Sequence, residues 1–211
     1  MKVQNSLMIT AFVVIACIGC EASKPHPLVL IQTEAGDIVV ELYPEKASVT
    51  VSNFLRYVDE GRFRTAAFYR VVRVDNQPDD EIQIDVIQGG IGFVESDLRL
   101  PPIMHETTQK TGVLHWTGTI SMARAEPGTA SSEFFICVND EPNLDFNGRR
   151  NPDGQGFAAF GRVVRGMDVV YAIHKMPAEG QMLVAPVKIS DIRRVGKIDQ
   201  SVDAGETGGI E

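Results

Sequence analysis

The chain has 211 residues, enough for one domain with extensions or at most two small ones. Its apolar fraction of 44% and charged fraction of 23% are ordinary for a globular protein and exclude a fibre or a largely disordered chain. A formal net charge of −8 argues against nucleic acid as a partner, because phosphate binding calls for a basic face, and no repeat runs at a solenoid or propeller period.

Residues 1–20 stand apart from the fold. Lys2 supplies a positive start, and Leu7 to Gly19 is mostly apolar, about the length of a signal-peptide core and short for a transmembrane span. Ile18-Gly19-Cys20 follows, a small residue directly before a cysteine, and resembles the bacterial lipoprotein signal. That resemblance implies lipidation of Cys20 and an exported protein anchored in the cell envelope. Cys17 departs from it, since leucine is usual there. A cleaved secretory peptide, giving a soluble periplasmic or secreted protein, and an uncleaved anchor are the alternatives. Residues 21–27 read as a polar, proline-bearing tether. Residues 197–211 are Gly-rich and acidic and read as a disordered tail. The body is one domain, residues 28–196. Cys137 then has no intramolecular disulfide partner, and its place after Phe134-Phe135-Ile136 predicts a buried thiol.

The body opens on a hairpin, Val29-Leu30-Ile31 and Ile38-Val39-Val40 around the turn signal Ala35-Gly36-Asp37. A helix follows, with Ser48 as its cap, Val51, Phe54, Leu55 and Val58 as its apolar stripe and Gly61 as its stop. Short strands are predicted at Phe68 to Val72, Ile82 to Gln88, Thr119 to Ala123, Phe134 to Val138 and Phe157 to Val163. Gly166 opens a second helix with Met167, Val170, Tyr171 and His174 on one face, and Val187 to Val195 is a closing strand. Three stretches read as loops: an acidic insertion, Val74 to Glu81, with Asp75, Asp79 and Asp80; Leu100 to Trp116; and Asn143 to Gly156. Many short strands with a helix near each end predict a mainly β fold, a closed β-barrel with helices over its ends.

The chemistry-bearing motifs are Phe68-Tyr69-Arg70-Val71-Val72, Gln88-Gly89-Gly90, Gly118-Thr119-Ile120-Ser121-Met122-Ala123, Ser131-Ser132-Glu133-Phe134-Phe135-Ile136 and the run Phe160 to Val170. They set one guanidinium and one amide among apolar and aromatic side chains. Such a site can grip a peptide and polarise an amide, but is poorly equipped to cut one. In this order the five segments resemble the cyclophilin family of peptidyl-prolyl cis-trans isomerases, over about residues 28–196.

The resemblance implies an antiparallel barrel of about eight strands capped by two helices, and a groove with an apolar pocket for a proline ring. By position, Arg70 matches the family's essential arginine and Gln88 the glutamine that helps hold the peptide backbone. Phe135 and Leu144 match residues walling the pocket, and Ala123 and Arg124 the segment whose backbone pairs with substrate. Phe68, Val86, Met122, Glu133 and Phe157 complete the implied substrate-binding set. The implied partners are proline-containing polypeptides bound by a monomer, with no cofactor and no metal.

Several positions depart from the family's usual residues. Asp85 stands near an expected aromatic, which would open or polarise one pocket wall. Glu133 stands for a common glutamine, Arg124 for a common asparagine, and Phe157 for histidine or tyrosine. Asn143 replaces the tryptophan or phenylalanine tied to cyclosporin binding, so weak sensitivity to that drug is expected.

Three other readings compete. A proline-peptide binding module or holdase would keep the groove without the rate. A hydrolase is disfavoured because Ser121, Ser131 and Ser132 stand in no Gly-x-Ser-x-Gly elbow and in no motif with a histidine. A metal site is disfavoured because His105, His115 and His174 lack ligand spacing, and Asp145, Asn147, Asn151 and Asp153 lack the glycine and terminal glutamate of a calcium loop.

Overall fold

A computed structural model describes residues 25–196 except 79–80 and 94–95. The signal segment with Cys20, most of the tether, Asp79 and Asp80 of the acidic insertion, and the 197–211 tail lie outside the described residues.

The opening hairpin pairs β1 (Leu28–Thr33) with β2 (Gly36–Leu42) in the register Thr33↔Gly36, one residue tighter than the turn signal implied. The Thr33 hydroxyl closes the turn, donating to the Gly36 carbonyl at 2.7 Å and accepting from the Ala35 N–H at 3.1 Å. Helix α1 (Ser48–Asp59) buries the predicted stripe Val51, Phe54, Leu55 and Val58. Its cap is not Ser48. Ser48 is the first helical residue, and the N-cap position is Ala47, whose buried side chain has no polar atom to offer. The Glu106 carboxylate caps it instead, accepting from the Thr50 N–H at 2.8 Å, the Thr50 hydroxyl at 2.7 Å and the Val49 N–H at 3.2 Å. A carboxylate at a helix N-terminus also meets the positive end of the helix dipole. Gly61, at φ 60, ends the helix, and the N–H groups of Gly61 and Arg62 return to the carbonyls of Val58 and Tyr57.

The remaining strands are β3 (Ala67–Val72), β4 (Val86–Gly90), β5 (Thr119–Met122), β6 (Phe134–Cys137), β7 (Ala158–Arg165), β8 (Ala178–Glu179) and β9 (Met182–Val195). A single helical turn, α2 (Thr108–Thr111), lies inside the stretch expected to be loop. Helix α3 (Met167–His174) follows Gly166 as predicted. Its buried residues are Val170 and Ile173, while Tyr171 of the predicted stripe is exposed. In so short a helix one i, i+3 pair suffices to anchor it.

The strands join in the order β1-β2-β7-β5-β6-β4-β3-β9, every pair antiparallel, and β1 pairs β9 to close an eight-stranded barrel. β8 is a short addition on β9. Inside lies an aromatic core. Phe54 of α1 meets Phe134 edge-on at 5.6 Å and Phe160 at 5.2 Å, and Phe68 meets Phe134 at 5.8 Å. Among the described residues no helix is long and apolar enough to cross a membrane.

β4 begins at Val86 rather than Ile82. The preceding segment is fastened by the buried Gln77 side chain, which donates to the carbonyls of Ile84 at 2.7 Å and Arg73 at 2.8 Å and accepts from the Ile84 N–H at 3.3 Å. One glutamine thus ties Arg73 to Ile84 and takes the Ile84 pairing groups that a longer strand would have used.

Candidate active site

Strand alternation sends neighbouring residues to opposite faces. On β6, Phe134 and Ile136 enter the barrel core, while Phe135 and Cys137 join a second apolar cluster with Val72, Ile84, Val86 and Leu144. On β4, Ile87 points in and Val86 and Gln88 point out. On β3 the register shifts between Phe68 and Arg70, a bulge that turns both Tyr69 and Arg70 away from the core. The outward set forms a cleft of about 490 Å³.

Arg70, Val86, Gln88, Ala123, Arg124, Glu133, Phe135, Leu144 and Phe157 line this cleft. Phe68 and Met122 do not. Both were expected at the substrate face, and both fall on the inward register of their strands and are buried in the barrel core. Cys20 lies outside the described residues. Cys137 is buried as expected, although in the cluster behind the cleft, and burial raises its thiol pKa.

Arg70 is held from two sides. Its Nη1 donates to Gln88 Oε1 at 2.9 Å, and its Nε donates to Gln181 Oε1 at 3.0 Å, with Nη2 donating to the same oxygen. Gln181 sits in the β8–β9 turn. It is fixed there by its carbonyl, which accepts from Val71 N–H at 2.9 Å, and by its amide, which donates to the Asn76 carbonyl at 3.3 Å. The Gln88 and Gln181 acceptors are both neutral amide oxygens, and together they orient the guanidinium.

The network continues away from Arg70. Gln88 Nε2 donates to the Tyr69 hydroxyl at 3.0 Å, and that hydroxyl donates to Glu133 Oε2 at 2.5 Å. Glu133 also accepts from the Ser132 hydroxyl at 2.8 Å and the Gly92 N–H at 3.2 Å, with Arg99 Nη1 3.7 Å away. Burial raises the Glu133 pKa, opposed by the Tyr69 and Ser132 hydroxyls and by Arg99. Burial, and then the Glu133 charge, raise that of Tyr69. Gly90 makes room for this carboxylate: at φ 146, a Cβ there would lie 2.4 Å from Glu133 Oε2.

Phe135 is the apolar floor. Its ring meets Phe157 edge-on at 5.3 Å and stacks on His115 at 5.9 Å. His115 Nδ1 donates to Asp145 at 2.7 Å, and its Nε2 pairs with the Ser121 hydroxyl at 2.9 Å. A serine–histidine–aspartate chain is therefore present, although no sequence motif marks it. Ser121 and His115 are fully buried behind Phe135, so no substrate carbonyl can reach the hydroxyl. The chain acts as a strut beneath the pocket floor and not as a nucleophile.

The expected opening of the pocket wall at Asp85 does not occur. Asp85 turns away, bound by Asn139 Nδ2 at 3.0 Å and lying 3.5 Å from His174 Nε2, and Ile84 lines the cleft in its place. Ile84 joins Val72, Val86, Phe135 and Leu144 in the apolar cluster and leaves the wall apolar. The Arg124 side chain also turns from the cleft centre. It pairs with Asp153 at 2.8 Å, donates to the Gly156 carbonyl at 2.9 Å and lies over the Phe157 ring at 5.2 Å. That side chain is fully covered while the residue as a whole is half-buried, so the exposure belongs to the main chain. The acidic insertion meets the 143–156 loop at one end of the cleft, where Arg150 Nη1 donates to the Ile82 carbonyl at 2.6 Å and Arg149 pairs with Glu81.

Asp145 and Asp153 are each engaged by a protein cation or imidazole. Among the described residues no group of three or more His, Cys, Asp or Glu side chains is placed to hold a metal ion. Sequence reasoning missed Gln181, Tyr69 and Ile84. For Ile84 a signal existed, its i−2 relation to Val86, obscured by the adjoining insertion. For Gln181 there was none, because it meets Arg70 across 111 residues.

A family model described as cyclophilin type peptidyl-prolyl cis-trans isomerase/CLD matches residues 28–194. Peptidyl-prolyl cis-trans isomerase A of Dickeya dadantii is 39% identical over 156 residues, covering 72% of this chain and 73% of that protein. Peptidyl-prolyl cis-trans isomerase B of Escherichia coli is 37% identical over 147 residues, covering 68% and 81%. The crystal structure of a Cryptosporidium parvum cyclophilin type peptidyl-prolyl cis-trans isomerase superposes with a TM-score of 0.65 at 20% identity, covering 82% of this chain and 99% of that one.

Proposed function

The chain belongs to the cyclophilin-type peptidyl-prolyl cis-trans isomerase family, and from that premise we propose that it turns X-Pro bonds in exported polypeptides and so assists their folding. It is an isomerase, and no bond is broken. Amide resonance sets a rotation barrier of roughly 18–20 kcal/mol, which gives uncatalysed prolyl flips on the order of tens to hundreds of seconds.

The catalyst has only to favour the twisted amide over the planar one. In the twisted state the proline nitrogen becomes pyramidal and regains a lone pair. A fixed, permanently charged donor aimed at that nitrogen stabilises the twist more than the ground state. The observation that carries this reading is the Arg70 guanidinium at the cleft, oriented by Gln88 and Gln181 beside the apolar floor of Phe135. The floor, with Leu144, Ile84 and Val86, takes the proline ring and excludes water, which strengthens the Arg70 contact. The Ala123 N–H is taken by the Glu133 carbonyl at 2.9 Å, which leaves the half-buried Arg124 main chain to pair with the substrate chain.

An isomerisation assay on a proline tetrapeptide tests the roles. Arg70→Ala is expected to lower kcat/KM by about 100- to 1000-fold, the range for loss of one preplaced electrostatic donor. Equal rates for wild type and variant would support the binding-module reading instead.

Export from a lipid anchor at Cys20 is proposed on the strength of Lys2, the apolar Leu7 to Gly19 segment and Ile18-Gly19-Cys20. Metabolic labelling of the full chain with an alkyne fatty acid should mark the wild type and not Cys20→Ser. Labelling of both would exclude this anchor site.

A further inference from the structure

We propose that Glu133 is a positioning residue for Arg70: its carboxylate, acting through the Tyr69 hydroxyl, sets the direction of the hydrogen-bond chain that keeps the Gln88 carbonyl oxygen on the guanidinium. The inference deepens the isomerase reading and rests on it.

Arg70 Nη1 donates to Gln88 Oε1 at 2.9 Å, Gln88 Nε2 donates to the Tyr69 hydroxyl at 3.0 Å, and that hydroxyl donates to Glu133 Oε2 at 2.5 Å. Tyr69, Gln88 and Glu133 are all buried. The two middle members are ambiguous by themselves. A phenol donates or accepts, and an amide presents an acceptor or a donor according to which way it is turned. The two ends are not ambiguous, because a guanidinium only donates and a carboxylate only accepts. The Glu133 carboxylate therefore claims the Tyr69 proton. The hydroxyl is left with lone pairs for Gln88, which turns its Nε2 toward Tyr69 and its Oε1 toward Arg70.

The surroundings of Glu133 suit the charged form that this role needs. Gly92 N–H at 3.2 Å and Arg99 Nη1 at 3.7 Å approach Oε1 and can only donate, and the Ser132 hydroxyl joins them at 2.8 Å. The titratable groups that meet Glu133 among the described residues are Tyr69 from β3 and Arg99 from the segment after β4, with Arg70 further along the chain. Burial, and then the Glu133 charge, raise the Tyr69 pKa, so that hydroxyl keeps its proton to give. A glutamine at 133 is not equivalent. With its oxygen kept on Gly92 and Ser132, its NH2 faces Tyr69, and the Tyr69 O–H is turned against Gln88 Nε2. Protonation of Glu133 likewise ends its claim on the Tyr69 proton. Burial raises the Glu133 pKa, so this sets in at a higher pH than for an exposed glutamate as pH falls.

Glu133→Gln, Tyr69→Phe and the double variant separate a positioning role from a structural one. With a proline tetrapeptide at neutral pH, each single substitution is expected to lower kcat about five- to tenfold and to leave KM within about twofold. The double variant should be no slower than the slower single variant, because either change already breaks the chain. Losses that multiply, or a change confined to KM, overturn the proposal. Wild-type kcat should fall as pH is lowered through the Glu133 titration, and a decline that persists in Glu133→Gln overturns it as well. Nuclear magnetic resonance of the peptide-free wild type reads the chain without turnover or substitution. The Gln88 side-chain N–H protons should lie against the Tyr69 ring at neutral pH and lose that contact as Glu133 takes up its proton. A contact unaffected by that titration contradicts the proposal. A wild-type protein that does not isomerise would instead fault the isomerase reading, while this spectrum still decides the direction of the chain.

Discussion

Phe134 and Phe135 are neighbours in the chain and serve opposite faces of one strand. Phe134 points into the barrel, edge-on to Phe54 and Phe68, surrounded by apolar side chains alone. Phe135 points out to a cleft, between Phe157 and the buried His115 strut. The same division separates Ile87 from Gln88 and Val71 from Arg70. The inward faces hold the barrel together. The outward faces combine a cation, two amides and a few apolar walls. A period of two therefore lets a strand give stability on one side and chemistry on the other, and lets the two be perturbed separately.

The strongest challenge to that separation is a pair of truncations. Phe134→Ala should cost about 3–5 kcal/mol in denaturant unfolding, since it empties the centre of the aromatic core. Phe135→Ala should cost less stability, because it removes a ring from a smaller cluster at the cleft, and should lower kcat/KM more than tenfold, because the pocket floor is gone. Loss of stability and activity in equal proportion in both variants would mean that the faces are not independent.

Gln181→Ala sharpens the outward side. It leaves Arg70 in place but removes an acceptor that aims it. We expect kcat to fall about five- to tenfold, the worth of one such bond, with KM little changed. A change confined to KM would make Gln181 a peptide contact and not a positioner of Arg70.

What could be read from the chain divides along similar lines. The stripe of α1 and the β1–β2 hairpin follow from local periodicity, which a sequence displays, whereas Gln88 and Phe135 are placed at the cleft by their motifs. Phe68 and Met122 were assigned by motif to the substrate face, and only their strand registers placed them inside. The Glu106 cap of α1, Gln181 behind Arg70 and the His115–Asp145–Ser121 strut are side-chain bonds between distant segments. Nothing in residue spacing marks them, since they depend on how the barrel closes. The late start of β4 had a local cause, Gln77, but a buried glutamine closing a loop carries no periodic signature.

The smallest effect concerns pH. Glu141 accepts a hydrogen bond from Asp85 N–H at 2.7 Å, and burial pushes its pKa up to about 7. The folded state thus holds this proton at pH values where the unfolded chain has released it. Stability from this source is present below the ordinary carboxylate pKa and is lost as pH rises toward 7. Between about pH 5 and pH 8 the loss should be on the order of 1 kcal/mol once solvent screening of the carboxylate is allowed for, and Glu141→Gln should abolish it. Parallel stability–pH curves for the two proteins would contradict this origin.

The central claim is that the Arg70 guanidinium, held between Gln88 and Gln181, lowers the barrier to turning a prolyl bond. Exchange spectroscopy on a saturating proline peptide measures cis–trans interconversion on the protein, apart from binding. The account predicts that Arg70→Ala slows this on-protein step by about 100-fold or more while peptide affinity changes only a few-fold. An interconversion rate equal to that of the wild type would contradict it.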